Sequence, residues 1–270
     1  MKILLNSLDL KKELEKNDSL GFVPTMGSIH LGHQYLIKRS MRENSKTIVS
    51  IFINPTQFNH LKDFKTYPRN INKDLGILKN LRVDFVFIPK TKDIYNFKRK
   101  KKISLKKKDQ IMCAKYRKGH FEGVLDVMDR LTKLIKPKKI FMGEKDLQQF
   151  ILVKRFLEKR YNTKIIKCKT IRDKNQIALS SRNKILSSNS LRLISNFINE
   201  IKKIKKNLTK QSNINNYLNS KTLELKKKYK IKIEYLELRN KYNLKKTKKT
   251  KNSKIFIAFY KNNVRLIDNL

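Results

Sequence analysis

Short unbroken apolar runs alternate with amphipathic stretches of about a dozen residues, and this alternation constrains the fold more than any other feature. Thr47–Ile53 and Val83–Ile88 are rich in β-branched residues and stop at Asn54–Pro55 and Pro89. Runs bounded in this way read as buried strands. Leu20–Pro24, Lys138–Met142 and Thr163–Lys169 read similarly, and helical spacing fills Leu31–Arg42, Ile71–Leu81, Phe121–Ile135 and Lys145–Lys159. Strands alternating with helices predict an α/β fold, a parallel sheet covered by helices on both faces. Such sheets bind ligands where loops leave the C-terminal strand ends. After about residue 170 the pattern changes. Two lysine-rich helices (Ser188–Leu208, Asn213–Tyr229) precede three strand candidates, Ile231–Leu238, Lys254–Tyr260 and Val264–Ile267. The expected organisation is a domain over 1–170 followed by a smaller C-terminal α+β domain over 171–270, which suits a length of 270 residues.

Glycine and proline are scarce, at 7 and 5, and all lie between Gly21 and Gly143. They mark positions where the backbone needs a special turn or a close approach. Lys+Arg 66 against Asp+Glu 22 gives a net charge of +44. Such a charge attracts polyanions. The lysines are nevertheless spread along the chain, Asn and Ile are abundant, and no RNA-binding signature occurs, so compositional drift is favoured over a specific nucleic-acid partner. No apolar stretch approaches the roughly 18 residues of a membrane span, and the N-terminus makes a poor signal peptide. Two cysteines, Cys113 and Cys168, suggest neither a disulfide framework nor a zinc site. A reducing cytoplasm is expected. The runs Lys98–Lys108 and Lys241–Lys251 read as exposed loops or hairpin ends.

Four segments carry chemistry. In Pro24–His33 a strand ends, a glycine turn follows, and His30 and His33 open a helix on one face. Backbone N–H groups at a helix N-terminus favour phosphate, and imidazoles there can stabilise growing phosphate charge. Gly27 and Gly32 allow close approach. The alternatives are a metal pair or two incidental histidines; zinc needs a third ligand that no nearby spacing offers. In Ser50–Phe58, Asn54 and Gln57 follow a buried strand and suit a hydroxyl-rich or carboxylate ligand, although such loops also serve turns. In Gly143–Gln149, Lys145 can neutralise phosphate and Gln149 lies four residues on; acidic Glu144 and Asp146 also suit an ordinary helix start. In Ala178–Asn183, hydroxyls beside Arg182 suit a mobile phosphate clamp or a helix-capping serine cluster.

Together these segments resemble the pantoate–β-alanine ligases of the HxGH nucleotidyltransferase superfamily. The resemblance also includes Tyr67–Arg69, Gly119-His120-Phe121 with Gly123-Val124, Tyr235–Arg239 and the terminal run Arg265–Asn269. It implies a Rossmann-like N-terminal domain for nucleotide and pantoate. It implies ATP-dependent condensation of pantoate with β-alanine through a pantoyl adenylate, releasing pyrophosphate and AMP. By motif, Met26, Gly27, Ser28, Ile29, His30, Leu31, Gly32 and His33 would line the ATP site, with His33 as general acid. Gly143, Glu144, Lys145, Asp146, Ile171, Leu179, Ser180, Ser181 and Arg182 would also contact ATP. Gln57 and Gln149 would hold pantoate, and Gln57 with Asn54 would lie near β-alanine. Catalysis would fall to His33, His30, Lys145, Ser180, Ser181 and Arg182. Mg2+ is expected with ATP and not in a protein-only metal site, and a homodimer is implied. An adenylyl-transferring enzyme for a different acid is the nearest alternative; Gln57 and Gln149 argue against a phosphorylated one. A basic nucleic-acid-binding protein is the more distant alternative. Two departures stand out: Glu122 replaces a basic residue, and Asn175-Gln176 replaces Asp-Gly. If that turn needs positive φ, Gln176 costs about 1 kcal/mol; Asn175 is the alternative occupant.

Overall fold

The structure is a computed structural model describing residues 1–14, 19–59, 61–96 and 102–270. Lys98–Lys101 of the first expected lysine loop lie outside the described residues. The chain forms two compact units, one of Met1–Glu144 with Leu152–Lys169 and one of Lys145–Ile151 with Thr170–Leu270. In order come β1 (Lys2–Leu4), α1 (Ser7–Leu14), β2 (Leu20–Thr25), α2 (Leu31–Glu43), β3 (Lys46–Ile51), α3 (Leu61–Lys65) and α4 (Ile71–Asn80). Next are β4 (Phe85–Phe87), α5 (Thr91–Ile94), α6 (Cys113–Tyr116), α7 (His120–Ile135), β5 (Lys139–Gly143), α8 (Leu147–Leu157) and β6 (Lys164–Cys168). The chain ends with α9 (Ser188–Asn207), α10 (Ile214–Tyr229), β7 (Lys232–Asn240), β8 (Ser253–Lys261) and β9 (Val264–Asn269).

The first unit is built on a six-stranded sheet in the order β1-β4-β3-β2-β5-β6. Every pairing in it is parallel. Parallel strands covered on both faces must be apolar throughout, and Phe22, Val23, Ile48, Val49, Val86, Phe87, Ile140 and Phe141 are fully buried. One face packs Val23, Val49, Val86 and Phe141 with Leu36 and Ile37 of α2 and Leu78 of α4. From β2 the order runs outward through β3 in one direction and β5 in the other. That makes the carboxyl end of β2 a topological switch point, the usual place for a ligand crevice.

The second unit is the expected α+β pair of layers. Its antiparallel sheet β7-β8-β9 packs Ile255, Ile257 and Phe259 with Ile194, Phe197, Ile198 and Ile201 of α9 and Leu218 and Leu225 of α10. The lysines Lys203, Lys205, Lys206 and Lys226–Lys228 lie on exposed positions of these helices, as a solvated face requires. The Lys241–Lys251 run is the mostly exposed connection between β7 and β8.

Candidate active site

The turn after β2 is more internally bonded than its sequence suggests. Thr25 Oγ1 donates to Ser50 O and accepts from Gly27 N at 3.1 Å. Ser28 N and Ile29 N each donate to the carboxylate of Asp74 at 2.7 Å. Asp74 reaches them from the first turn of α4 and is buried. Gly27 has φ +76, and a Cβ there would lie 2.9 Å from Asp74 Oδ2. Ser28 takes φ 53 without being glycine. Gly32 N donates to His30 Nδ1 at 3.1 Å, so His30 is the N-cap of α2. The accepting Nδ1 places the neutral ring's proton on Nε2. Free N–H groups were expected here for phosphate. Those of Gly27, Ser28, Ile29 and Gly32 are engaged within the protein. The rings of His30 and His33 stack with centroids 4.0 Å apart and planes at 23°.

The turn after β3 lies beside it. Pro55–Gln57 forms a 3-10 turn capped by Asn54, and Gln57 Nε2 lies 2.6 Å from Met26 Sδ. The first two motif segments thus meet. Asn54 is 1% exposed and both ends of its amide are engaged. Nδ2 donates to Gly123 O at 3.2 Å and to Gln57 Oε1 at 3.3 Å. Oδ1 accepts from Thr56 and from Tyr95 OH at 2.7 Å. Burial pushes the Tyr95 phenol up from its ordinary range, which preserves the O–H that Asn54 accepts. Asn54 therefore shapes the turn that carries Gln57.

The start of α7 moulds the same turn. A guanidinium can only donate, so Arg117 donates to His120 Nε2 at 2.7 Å. His120 Nδ1–H then donates to Gln57 O at 2.7 Å. A Cβ on Gly123 would fall 2.4 Å from Thr56 O and 3.0 Å from Gln57 N. Gly123→Ala should lower the urea or thermal unfolding midpoint by the equivalent of about 1–3 kcal/mol, the usual cost of overpacking. Gly76→Ala is the internal comparison. It lies within α4 with nothing near its Cβ position, and should be stabilising by about 0.5–1 kcal/mol. Equal midpoints for the two variants would show that α7 does not press on this turn.

β5 ends at Gly143 beside the end of β2, and Glu144 pairs with Lys167 at 3.2 Å. The remaining expected residues belong to the second unit. Lys145 stands in a 3-10 turn, Glu144–Asp146, with Asp146 Oδ2 3.4 Å from its Nζ. The helix carrying Gln149 starts at Leu147, two residues later than the spacing suggested. Ile171 begins a hairpin in which Arg172 bridges Ala178 and Leu179 N donates to Ile171 O. Gln176 occupies its left-handed position at φ 65. The lost glycine therefore does cost strain of about 1 kcal/mol, and Asn175 does not take its place. Ser180 caps the 3-10 turn Ser181–Ile185 by accepting from Arg182 N at 3.3 Å, so the capping reading of this serine cluster holds at Ser180.

Asp74, Tyr95, Arg117 and the role of His120 were missed from sequence. Asp74 resembles ordinary acidity at a helix start, and its partners lie 45 and 46 residues away. The Gly119–Val124 motif by itself assigns His120 no task.

Stacked imidazoles after β2, at the switch point, and an amide after the neighbouring β3 define a doubly wound α/β protein with a polar ligand crevice. The family model for pantoate–β-alanine ligase matches residues 3–270. A pantothenate synthetase from Flavobacterium psychrophilum is 37% identical over 268 residues, covering 97% of this chain and 94% of its own. A bifunctional pantoate ligase/cytidylate kinase from Prochlorococcus marinus is 40% identical over 277 residues; it is matched along 100% of this chain, which spans 54% of its length. The crystal structure of pantoate–β-alanine ligase from Francisella tularensis, complexed with β-γ ATP and β-alanine, superposes with a TM-score of 0.83 at 36% identity, covering 100% of this chain and 97% of that one. The chain belongs to the pantoate–β-alanine ligase family.

Proposed function

We propose that the protein condenses pantoate with β-alanine at the expense of ATP, forming pantothenate, AMP and pyrophosphate. The observation that supports this reading is the meeting of the two motif turns, where Gln57 Nε2 lies 2.6 Å from Met26 Sδ on the turn that leads to the stacked His30 and His33, in a member of this family. The pantoate carboxylate attacks the ATP α-phosphorus, and the bond to pyrophosphate breaks. The β-alanine amine then attacks the acyl carbon, AMP leaves with the bonding pair, and the amine proton is lost. The substrate supplies the nucleophile, so the protein contributes positioning and charge stabilisation.

In this reading Met26–His33 line the ATP site and His33 protonates the departing phosphate. Gln57 and Gln149 hold pantoate. Gln57 also meets β-alanine, and Asn54 acts through the turn it holds. Gly143–Asp146, Ile171 and Leu179–Arg182 contact ATP, with Lys145 and Arg182 as its cations. Magnesium enters as the counter-ion of ATP. Among the described residues no group of three or more His, Cys, Asp or Glu stands ready to hold a metal, and no step is assigned to it. A homodimer in the cytoplasm, without a specific nucleic-acid partner, completes the proposal; no helix among the described residues is long and apolar enough to cross a membrane.

Purified protein given ATP, magnesium, pantoate and β-alanine should release AMP only when both organic substrates are present. Release at background level would overturn the reading. AMP formed with another acid in place of pantoate would move it to the nearest alternative.

A further inference from the structure

The terminal run Arg265–Asn269 has no role in the chemistry above, yet it ends on two of the most deeply buried polar residues of the second unit. Asp268 is 5% exposed and Asn269 2%. Arg172 donates to both oxygens of Asp268, from Nη1 at 2.7 Å and from Nη2 at 2.9 Å. The same guanidinium donates to Gln176 O at 3.0 Å, bracing the Ile171–Leu179 hairpin from within. Asn269 Nδ2 donates to Lys145 O at 2.9 Å, and its Oδ1 accepts from Lys254 Nζ at 2.8 Å. Asn269 N donates to Asp268 Oδ1. Leu270 and Ile255 exchange backbone hydrogen bonds, which fixes the strand end to β8. β9 also lies against the Ser181–Ile185 turn.

We infer that Asp268 and Asn269 are positioning residues for ATP: the end of β9 holds the Lys145 turn and the Ile171–Leu179 hairpin in one fixed geometry. The inference rests on the assignment of Lys145 and Ile171 to ATP in the proposed function. Its physical basis is the cost of leaving a buried acceptor without a donor, and the precision a two-pronged Arg–carboxylate contact imposes. Lys145 is a single point charge on a flexible stem. Its reach depends on where its own backbone is held, and Asn269 is the side chain that holds it.

Asn269→Asp tests this with little change of volume. The new carboxylate still accepts from Lys254 but faces Lys145 O with a second acceptor. Glu234→Gln is the comparison, because Glu234 anchors the other end of the same sheet, bonded to Arg265 and Tyr260. ATP affinity is measured by calorimetry without the other substrates, together with each unfolding midpoint. Asn269→Asp should weaken ATP binding about tenfold or more, while Glu234→Gln lowers the midpoint and keeps wild-type affinity. Unchanged affinity in Asn269→Asp, or equal losses in both variants, would overturn the positioning role. If Asn269→Asp does not fold, Asn269→Ser is read by the same criteria. Wild-type protein that binds ATP but releases no pantoate-dependent AMP would remove the proposed function and leave this inference standing on its affinities. No ATP binding by wild type would remove both.

Discussion

His33→Ala should lower kcat roughly 10²–10⁴-fold, the span expected for a positioned proton donor, with the unfolding midpoint nearly unchanged. His33 lies in the first turn of α2, partly exposed and stacked on His30 at 4.0 Å. His30 Nδ1 accepts from Gly32 N–H, so in the proposed reaction only Nε2 of His30 would be left to contribute, with His33 as the group that meets the phosphate. The measurement is the initial rate of AMP release at saturating substrates, alongside ATP affinity. Loss of kcat with retained affinity fits a group needed most in the transition state. Near-normal kcat would remove His33 from the role. His30→Ala should behave differently, because it also deletes the helix cap, at a cost of about 1 kcal/mol.

Much of the first unit was legible because a parallel strand buried on both faces must be continuously apolar. Thr47–Ile53 and Val83–Ile88 announced β3 and β4 on that ground, though the strands themselves run Lys46–Ile51 and Phe85–Phe87. β1 has three residues, one of them lysine, and shows no period to read. The glycine pattern pointed to the site without explaining it. Gly27 proves to need positive φ and Gly123 a close backbone approach, whereas nothing lies near a Cβ on Gly143. The amide of Gln57 was visible as a candidate. What orients it, His120 and Asn54, depends on α7 packing against the 3-10 turn, a tertiary fact that local spacing does not encode. The +44 charge was the loudest feature of the sequence and the least informative, since the helical lysine clusters of the second unit lie largely on exposed positions.

The second large effect is expected at Asp74, which touches neither imidazole in the sequence sense and yet holds the turn that presents them. Asp74→Ala leaves two buried N–H groups, of Ser28 and Ile29, without their acceptor. Each costs about 1–3 kcal/mol, so destabilisation of about 2–6 kcal/mol is expected in urea unfolding. The turn also loses what keeps Ser28 at φ 53, a conformation costing about 1–2 kcal/mol for a non-glycine residue. It should relax away from that value and carry His30 with it. Turnover should then fall together with stability, unlike the pattern for His33→Ala. Asp74→Asn is the sharper experiment. It keeps shape and one acceptor but turns an NH2 toward a backbone N–H, so its midpoint should lie between wild type and Asp74→Ala. ATP affinity then separates two readings of the same carboxylate. If Asp74 only shapes the turn, both variants bind ATP more weakly or equally. Tighter ATP binding would mean that phosphate takes over the released N–H groups, and that Asp74 competes with the nucleotide for them. Wild-type midpoint and turnover in Asp74→Ala would show that the turn holds its geometry without the carboxylate.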